Sequence, residues 1–421
     1  MSVAQPAEAG EPGRPPVVGM VGGGQLARMT AQAAIGLGIE FRVLADTALD
    51  SAAQVSACVQ VGDYRAARDV LAFGAGCDVV TFDHEHVPGE HLTALERVTA
   101  VRPGSPALRF AQDKLAMRDR LSALEQVKAL GARCPRYRPV SSLPEVIRFA
   151  AGGGGWPVVL KATSGGYDGR GVWICADASA AADVIAHGVD LIAEEYVAFD
   201  RELAVLAARS PKGQGAVYPV VQTIQAGGIC REVIAPAPGL GPGLAVRAQR
   251  LGLTIAAELE VTGLLAVELF AVEDELVINE LAMRPHNCGH WTIDAATTSQ
   301  FEQHLRAVLD LPLGAPAATS PASVMVNVLG GADPDLYSRL VHVMAADAGV
   351  KVHLYGKAVR SGRKVGHVTV AGDDVAELRD RAWRAADYLS HGAEEPDGTA
   401  GGARARTGGA RAPAGGEGSG P

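Results

Sequence analysis

The chain lacks a CxxC pair. Its six cysteines, Cys58, Cys77, Cys134, Cys175, Cys230 and Cys288, are scattered, which excludes a zinc knuckle and a dithiol redox motif. That scatter suits reduced thiols in a cytoplasmic protein, most of them small core residues. No apolar run approaches the roughly 20 residues of a membrane helix. The opening MSVAQPAEAGEPGRP has no apolar segment of a secretory signal. An excess of positive charge is also missing: 38 Lys plus Arg against 47 Asp plus Glu leaves a formal charge of −9. That balance argues against a general nucleic-acid binder but leaves room for a local basic pocket that takes one phosphate. Large apolar residues are almost absent from residues 1–14 and 393–421, so both tails are expected to be disordered. No internal repeat is present.

Between the tails lies an ordinary globular composition, 48% apolar and 20% charged, over a 421-residue chain. A chain of this size holds two or three domains. An apolar strand over Val17–Val21 ends in Gly22-Gly23-Gly24, a helix follows to about residue 37, and strands are expected over 41–44 and 78–82. Strand–helix alternation of this kind predicts a parallel α/β sheet. The first domain is placed at 15–105, because Arg102-Pro103-Gly104-Ser105-Pro106 punctuates the chain. A single charged helix is expected over 107–130, then strands at 158–161, Val172–Cys175 and Leu191–Glu195. A second domain is placed at 106–315. A small β-rich unit at 316–392 carries strands at 324–329, Lys351–Leu354 and 364–370.

Gly22, Gly24 and Ala27 fit G-x-G-x-x-A after a first strand, and Asp46 ends the second strand where a dinucleotide fold puts its ribose-binding acid. This supports one reading as an NAD-dependent oxidoreductase. A tight strand–helix turn without any ligand is the plain alternative. Either way, bare amides at the helix start would make an anion site.

The segment GLLAVELFAVEDELVINELAMR carries the strongest local signal. Apolar strands at 264–272 and 276–281 flank the polar break Glu273-Asp274-Glu275, the pattern of a β-hairpin. Folding it symmetrically about Asp274 opposes Glu268 and Glu280, whose Cβ atoms would then lie about 4.5–5.5 Å apart. Two carboxylates among apolar neighbours need compensation. A divalent cation would supply it, since Mg²⁺ prefers one or two carboxylates plus phosphate oxygens. A glycosidase-like acid and nucleophile pair is the second option. A one-residue slip, turning Glu280 to solvent, is the third.

Upstream, PVVLKATSGGYDGRGVWIC places Lys161 at a strand end, before a loop with glycines at 165, 166, 169 and 171. Such a loop is expected to move, and beside a lysine it can close over polyphosphate. It is not a Walker A loop, because the lysine precedes the glycines. A solvated strand-end lysine is the plain reading. Next, LIAEEYVAFDREL ends a strand at Glu194, Glu195, Tyr196 and Val197, with Glu202 beyond. Exposed backbone followed by an acid could hold an adenine edge and ribose hydroxyls, although acids there are usually just solvated.

The order of these features resembles an ATP-grasp enzyme: Lys114, Lys161, the glycine flap, the run at 194–197, Glu202, then Glu268 and Glu280. More specifically, GGGQLARM, TFDHEHVP, QDK, GGYDGRG, NELAMRPHNCGHWT, SQFEQHLRA and RSGRKVGH resemble the N5-carboxyaminoimidazole ribonucleotide synthase family of purine biosynthesis, over about residues 16 to 390. The resemblance implies a Rossmann-like N-terminal domain, a central ATP-grasp domain and a small C-terminal domain. It implies ATP-dependent carbon–nitrogen ligation: bicarbonate and ATP give carboxyphosphate, which carboxylates 5-aminoimidazole ribonucleotide. ATP would meet Lys114, Lys161, Gly166, Tyr167, Asp168, Gly169, Arg170, Gly171, Val172, Glu194, Glu195, Tyr196, Val197, Glu202, Gln225, Asn279 and Glu280. Glu268 and Glu280 would hold Mg²⁺, with Mn²⁺ as an alternative ion.

On the same resemblance the N-terminal loop faces the ribonucleotide through Gly24, Gln25 and Leu26, no NAD is used, and Asp83 and Glu85 lie nearby. Tyr167, Arg170, Asn287 and His290 would surround the aminoimidazole and bicarbonate, while Lys357, Arg363 and Lys364 would neutralise the 5′-phosphate. Asp168, Arg284, His286 and Lys357 would be catalytic. Asp168→Asn is expected to lower turnover far more than ATP affinity, and equal losses would contradict that role. The resemblance also implies a homodimer. Two departures stand out: Ala282 occupies the place of the Asn in Glu-x-Asn-x-Arg, and Cys288 replaces Ser in HNSGH. A thiol is the weaker hydrogen-bond donor. The rival classes are another ATP-grasp ligase, the NAD oxidoreductase and a non-catalytic nucleotide-binding module.

Overall fold

A computed structural model describes residues 13–166 and 169–392. Tyr167 and Asp168, both assigned to the site by the resemblance, lie outside the described residues, as do 1–12 and 393–421. Within the N-terminal stretch expected to be disordered, Arg14 is tied to Asp78 by a 2.7 Å ion pair.

The first unit is a five-stranded parallel sheet. Its spatial order is Cys58–Val61, Glu40–Ala45, Val17–Val21, Val79–Phe82 and Ala100–Val101. Val17–Val21 is buried along its whole length, as a central parallel strand must be. The chain crosses from one side of it to the other. The loops after Val21 and Phe82 therefore meet at the crevice where such sheets bind ligands. The edge strand Cys58–Val61 is only four residues long and mostly exposed, too short for its alternation to stand out in the sequence.

The helix expected over 107–130 is three helices, Ser105–Gln112, Lys114–Ala123 and Glu125–Ala129. Asp113 causes the first break: it leaves the helical backbone region and its side chain caps the next helix by accepting from the Ala116 amide at 2.9 Å. Leu124, in extended conformation, causes the second. The break at Asp113 starts a new helix at Lys114, whose amide bonds Thr163 O at 2.9 Å.

Two further sheets form the rest, the smaller antiparallel and the larger antiparallel except where Glu275–Ala282 pairs in parallel with Ala132–Arg133. The smaller has the order Tyr137–Val140, Leu191–Glu195, Val158–Ala162, Val172–Cys175. The larger runs through Lys351–Leu354, Lys364–Gly372, Ala322–Leu329, Ile229–Ala235, Val221–Ala226, Arg201–Arg209, Gly263–Val272, Glu275–Ala282 and Ala132–Arg133. The C-terminal unit keeps its own core, with Val326, Val343, Val368 and Leu389 among its buried residues. Its sheet is not separate, because Ala322–Leu329 pairs directly with Ile229–Ala235. No described helix is long and apolar enough to cross a membrane.

The hairpin pairs Glu268 with Glu280, by a different route from the symmetric fold about Asp274. The turn is tighter, with Val272 opposite Glu275 and only Glu273 and Asp274 between the strands. Glu273 takes the left-handed region at φ 51° to close it. A bulge then restores the pairing: Leu269 faces Ile278, Glu268 faces Glu280, and Asn279 is the extra residue. The bulge brings Asn279 and Glu280 to the same cavity, which strict alternation would forbid.

Candidate active site

The three sheets border one continuous, half-open cavity of about 810 Å³. One end is lined by the charged residues of the small sheet and the hairpin. Lys161 ends strand Val158–Ala162 and is almost fully buried. Its ammonium donates to Glu194 Oε2 at 2.8 Å and to Asn279 Oδ1 at 3.0 Å. Glu194 takes Arg118 Nε on its other oxygen at 2.7 Å. Arg118 is wholly buried and also donates to the carbonyls of Ile278 and Asn279 at 2.8 and 2.7 Å, which pins the bulge. Burial opposes the charge on Glu194, yet the Lys161 and Arg118 cations hold its carboxyl down to about 2. Glu194 therefore spends its carboxylate on positioning Lys161, a different task from lining an adenine. Glu195 is likewise turned to Arg133, at 2.5 Å.

Lys114 pairs with Glu280, and the Asn279 amide reaches toward Glu268 at 3.5 Å. Burial and then the Glu280 charge push the Glu268 carboxyl up to about 7. Burial opposes ionisation of Glu280 too, but Lys114 outweighs it and keeps Glu280 below the usual carboxylate range. Glu202, on the neighbouring strand, is raised to about 7 by burial and by Glu268, and its Oε2 has no hydrogen-bond partner among the described residues. Among the described residues no three acidic, imidazole or thiol side chains converge to hold a metal ion, but the facing pair Glu268 and Glu280 offers the one or two carboxylates that Mg²⁺ takes beside ligand oxygens. Tyr196, Val197, Gln225, Pro135, Val159 and the stacked pair Phe199–Phe270, with centroids 4.5 Å apart, complete the walls of this end.

The flap residues Gly166, Gly169 and Val172 roof the cavity. Gly169 rests on Gly228, in the turn between strands Val221–Ala226 and Ile229–Ala235: a Cβ there would lie 2.9 Å from Gly228 Cα, and its φ of +76° already favours glycine. Arg170 and Gly171 are in the flap but do not line the cavity.

At the other end stand Gln25, Leu26, Asp83, Glu85, Arg284, His286, Asn287 and Lys364. The helix-start amides are not bare. Asp83 accepts from Gly24 N at 3.0 Å and Ala27 N at 2.8 Å, and a Cβ on Gly24 would lie 2.1 Å from its carboxylate. A carboxylate already occupies the place where a dinucleotide pyrophosphate would sit, which corrects the anion-site expectation for this loop. Gln25 instead bonds Lys357, tying the loop to the C-terminal unit. Glu85 pairs with Arg284 at 2.8 Å.

His286 Nδ1 faces the Cys288 thiol at 3.1 Å and amide at 3.4 Å, and its Nε2 lies 3.4 Å from Glu268 Oε1. Burial, then Arg284 and Lys364, lower the imidazole to about 3, so it is neutral near pH 7. His290 lies behind the cavity and is fully buried. Gly24, Lys357 and Arg363 also stand outside the lining, with the exposed Arg363 donating to Ala358 O at 3.3 Å. Sequence reasoning missed Arg118, although its spacing of four from Lys114 puts both on one helix face. It also gave no role to the lining residues His84 and His86 of TFDHEHVP, Gln112 of QDK, or Thr163 and Ser164 beside the flap.

Comparison with known proteins adds three domain matches. Residues 16–112 match the ribonucleotide synthetase preATP-grasp domain, 125–301 the ATP-grasp domain, and 323–381 the phosphoribosylaminoimidazole carboxylase C-terminal domain. The N5-carboxyaminoimidazole ribonucleotide synthase of Mycobacterium tuberculosis is 54% identical over 389 residues, covering 90% of this chain and 88% of that protein. The Synechococcus elongatus protein of the same name is 37% identical, covering 84% and 89%. The synthetase structure from Thermus thermophilus superposes with a TM-score of 0.79 at 38% identity, over 90% of this chain and 99% of that one. An Aspergillus clavatus synthase in complex with ADP and 5-aminoimidazole ribonucleotide gives 0.80 at 30% identity, over 89% and 98%.

Proposed function

This chain belongs to the N5-carboxyaminoimidazole ribonucleotide synthase family, ATP-dependent ligases that carboxylate 5-aminoimidazole ribonucleotide in purine biosynthesis, and we propose how its residues divide that work. The observation that carries the division is the single cavity joining the Lys114/Lys161/Glu268/Glu280 end to the Gln25/Arg284/His286 end. Nucleotide at the first end and ribonucleotide at the second would share one space.

Bicarbonate is a poor electrophile, so phosphoryl transfer from ATP activates it as carboxyphosphate. Lys114 and Lys161 bind the ATP phosphates, and Glu194 with Arg118 keeps Lys161 aimed. The adenine lies against Tyr196 and Val197 with the backbone of Glu194 and Glu195, beside Gln225, and Glu202 takes the ribose hydroxyls. Glu268, Glu280 and Asn279 are the donors that fit Mg²⁺, or Mn²⁺ with the same oxygen set. When bound, the ion would neutralise charge on the transferring phosphoryl group. Gly166, Gly169, Arg170, Gly171 and Val172 close over the phosphates and exclude water, which would otherwise hydrolyse carboxyphosphate.

At the second end Arg284 and the neutral His286 orient the carboxyl group. Gln25, Leu26, Asn287 and Glu85 bound the ribonucleotide, and Lys357, Lys364 and Arg363 answer its phosphate charge. Asp83 acts indirectly, by holding the Gly24 loop. Tyr167 and Asp168 keep the roles the resemblance implies, beside the aminoimidazole. The cytoplasmic location rests on the scattered cysteines and the homodimer on the resemblance, and sedimentation velocity tests the dimer.

The test is ADP release from degassed solutions, with and without bicarbonate and the ribonucleotide. Release that requires the ribonucleotide, with loss of free aminoimidazole, is expected. Release indifferent to the ribonucleotide would move the substrate elsewhere among ATP-grasp ligases. No ADP, with nicotinamide bound instead, would restore the oxidoreductase reading.

A further inference from the structure

Gln300 is one of several buried polar side chains that the mechanism above leaves unused. Gln300 is fully buried at the start of helix Gln300–Val308, and its amide touches the site loop at three points. Its Oε1 accepts from the His286 amide at 2.8 Å, and its Nε2 donates to the His286 carbonyl at 2.8 Å. The same Nε2 lies 3.0 Å from His290 Nδ1. Its own backbone amide donates to Thr292 Oγ1 at 2.8 Å, and that hydroxyl donates to Gly289 O at 2.6 Å. Gly289 packs against it so closely that a Cβ there would lie 2.5 Å from Gln300 Oε1.

These contacts fix more than a backbone path. A peptide N–H and C=O on one residue admit only one orientation of the facing amide, with oxygen toward the N–H and nitrogen toward the carbonyl. The nitrogen is therefore the group that meets His290, and a nitrogen donor there requires a bare, accepting Nδ1. The His290 proton must sit on Nε2, which is buried and has no hydrogen-bond partner among the described residues. A buried N–H without an acceptor is costly and calls for a partner, such as ordered water.

We propose that Gln300 is a positioning residue of the carboxylation step: one amide sets the chain path at His286 and holds His290 as an Nε2–H donor. The proposal rests on the division of labour above. It extends that reading to a residue that does not touch the cavity, and it places the effect on transfer of the carboxyl group rather than on ATP.

Two measurements test it. The first uses ligand-free wild-type protein labelled with ¹⁵N-histidine, with the His290 signals assigned by their loss in His290→Asn. A non-protonated Nδ1 is expected, and a protonated Nδ1 overturns the proposal whatever the enzyme's substrate is. The second is Gln300→Glu, which keeps an acceptor for the His286 N–H and, with the proton a buried carboxyl takes up, retains at most one of the two donor contacts. Its kcat for ribonucleotide consumption is expected to fall about tenfold or more, the scale of one lost buried hydrogen bond. KM for ATP should stay unchanged, and ADP release should come to exceed ribonucleotide consumed. A parallel fall in ADP release and consumption, or no fall, overturns it. Failure of the wild-type enzyme to consume the ribonucleotide would instead count against the proposed function, with the tautomer measurement still deciding the role of Gln300.

Discussion

Replacing Glu268 by Gln should stabilise the ligand-free protein at alkaline pH while abolishing most activity. Glu268 faces Glu280 across the hairpin, and burial with that neighbour lifts its carboxyl from an ordinary 4.5 to about 7. Between those values the folded protein holds a proton that the unfolded chain has released. Stability contributed by this group is therefore present below about pH 4.5 and lost as pH rises through 7. Fully expressed, that rise corresponds to about 3 kcal/mol. A quarter of the side chain is open to water, which screens the repulsion, so about 1–2 kcal/mol is the expected penalty at pH 8. Glutamine never ionises, yet its amide still offers an acceptor to His286 and to Asn279. Thermal unfolding without nucleotide or metal is the assay. Glu268→Gln should melt about 1–3 °C above wild type at pH 8, and most of the gain should be lost near pH 5. A variant less stable than wild type at pH 8, or a gain equal at both pH values, would refute the reasoning.

Three further outcomes follow from the same geometry. Arg118→Met leaves Glu194 with one cation and frees two buried carbonyls, so a loss of about 3–5 kcal/mol is expected in chemical denaturation, with a raised KM for ATP in whatever fraction folds. A loss below about 1 kcal/mol would mean that the Arg118 network does not hold the bulge. Gly169→Val places a β-branched side chain at φ +76° against Gly228, so KM for ATP should rise and ADP release should outrun ribonucleotide consumption. The strained φ should lower stability by about 1–3 kcal/mol without preventing folding, and wild-type kinetics would count against closure of the flap onto the turn at Gly228. Asp168→Asn should reduce turnover well beyond any change in ATP affinity, read as kcat against KM, and matched losses would remove Asp168 from the carboxylation step.

Much of this architecture was legible in local pattern. Alternation around Val17–Val21 announced the parallel sheet, and the apolar runs around Asp274 announced the hairpin that opposes Glu268 and Glu280. The pairing was right although two local details were not, because a tighter turn and a bulge at Asn279 cancel in register. Neither leaves a period-two signature, so neither could be read from alternation. Arg118 was legible in principle from its spacing to Lys114, but nothing local says that its partner is a glutamate 76 positions away. The capping of the Gly24 loop by Asp83 spans 59 positions and reverses what the glycine motif suggests alone. Fusion of the C-terminal strands with the central sheet is equally non-local, since Ala322–Leu329 finds its partner only after the chain has folded back. The orientation of the Gln300 amide depends on a loop ten or more residues away.

The central claim is that ATP activates bicarbonate before the amine attacks. The most direct measurement supplies ¹⁸O-bicarbonate, ATP, Mg²⁺ and 5-aminoimidazole ribonucleotide to the enzyme and weighs the inorganic phosphate released. Transfer through carboxyphosphate predicts one ¹⁸O atom carried from bicarbonate into each phosphate. Phosphate formed at the same rate with no label would mean that water, not bicarbonate, receives the phosphoryl group, and would contradict the account.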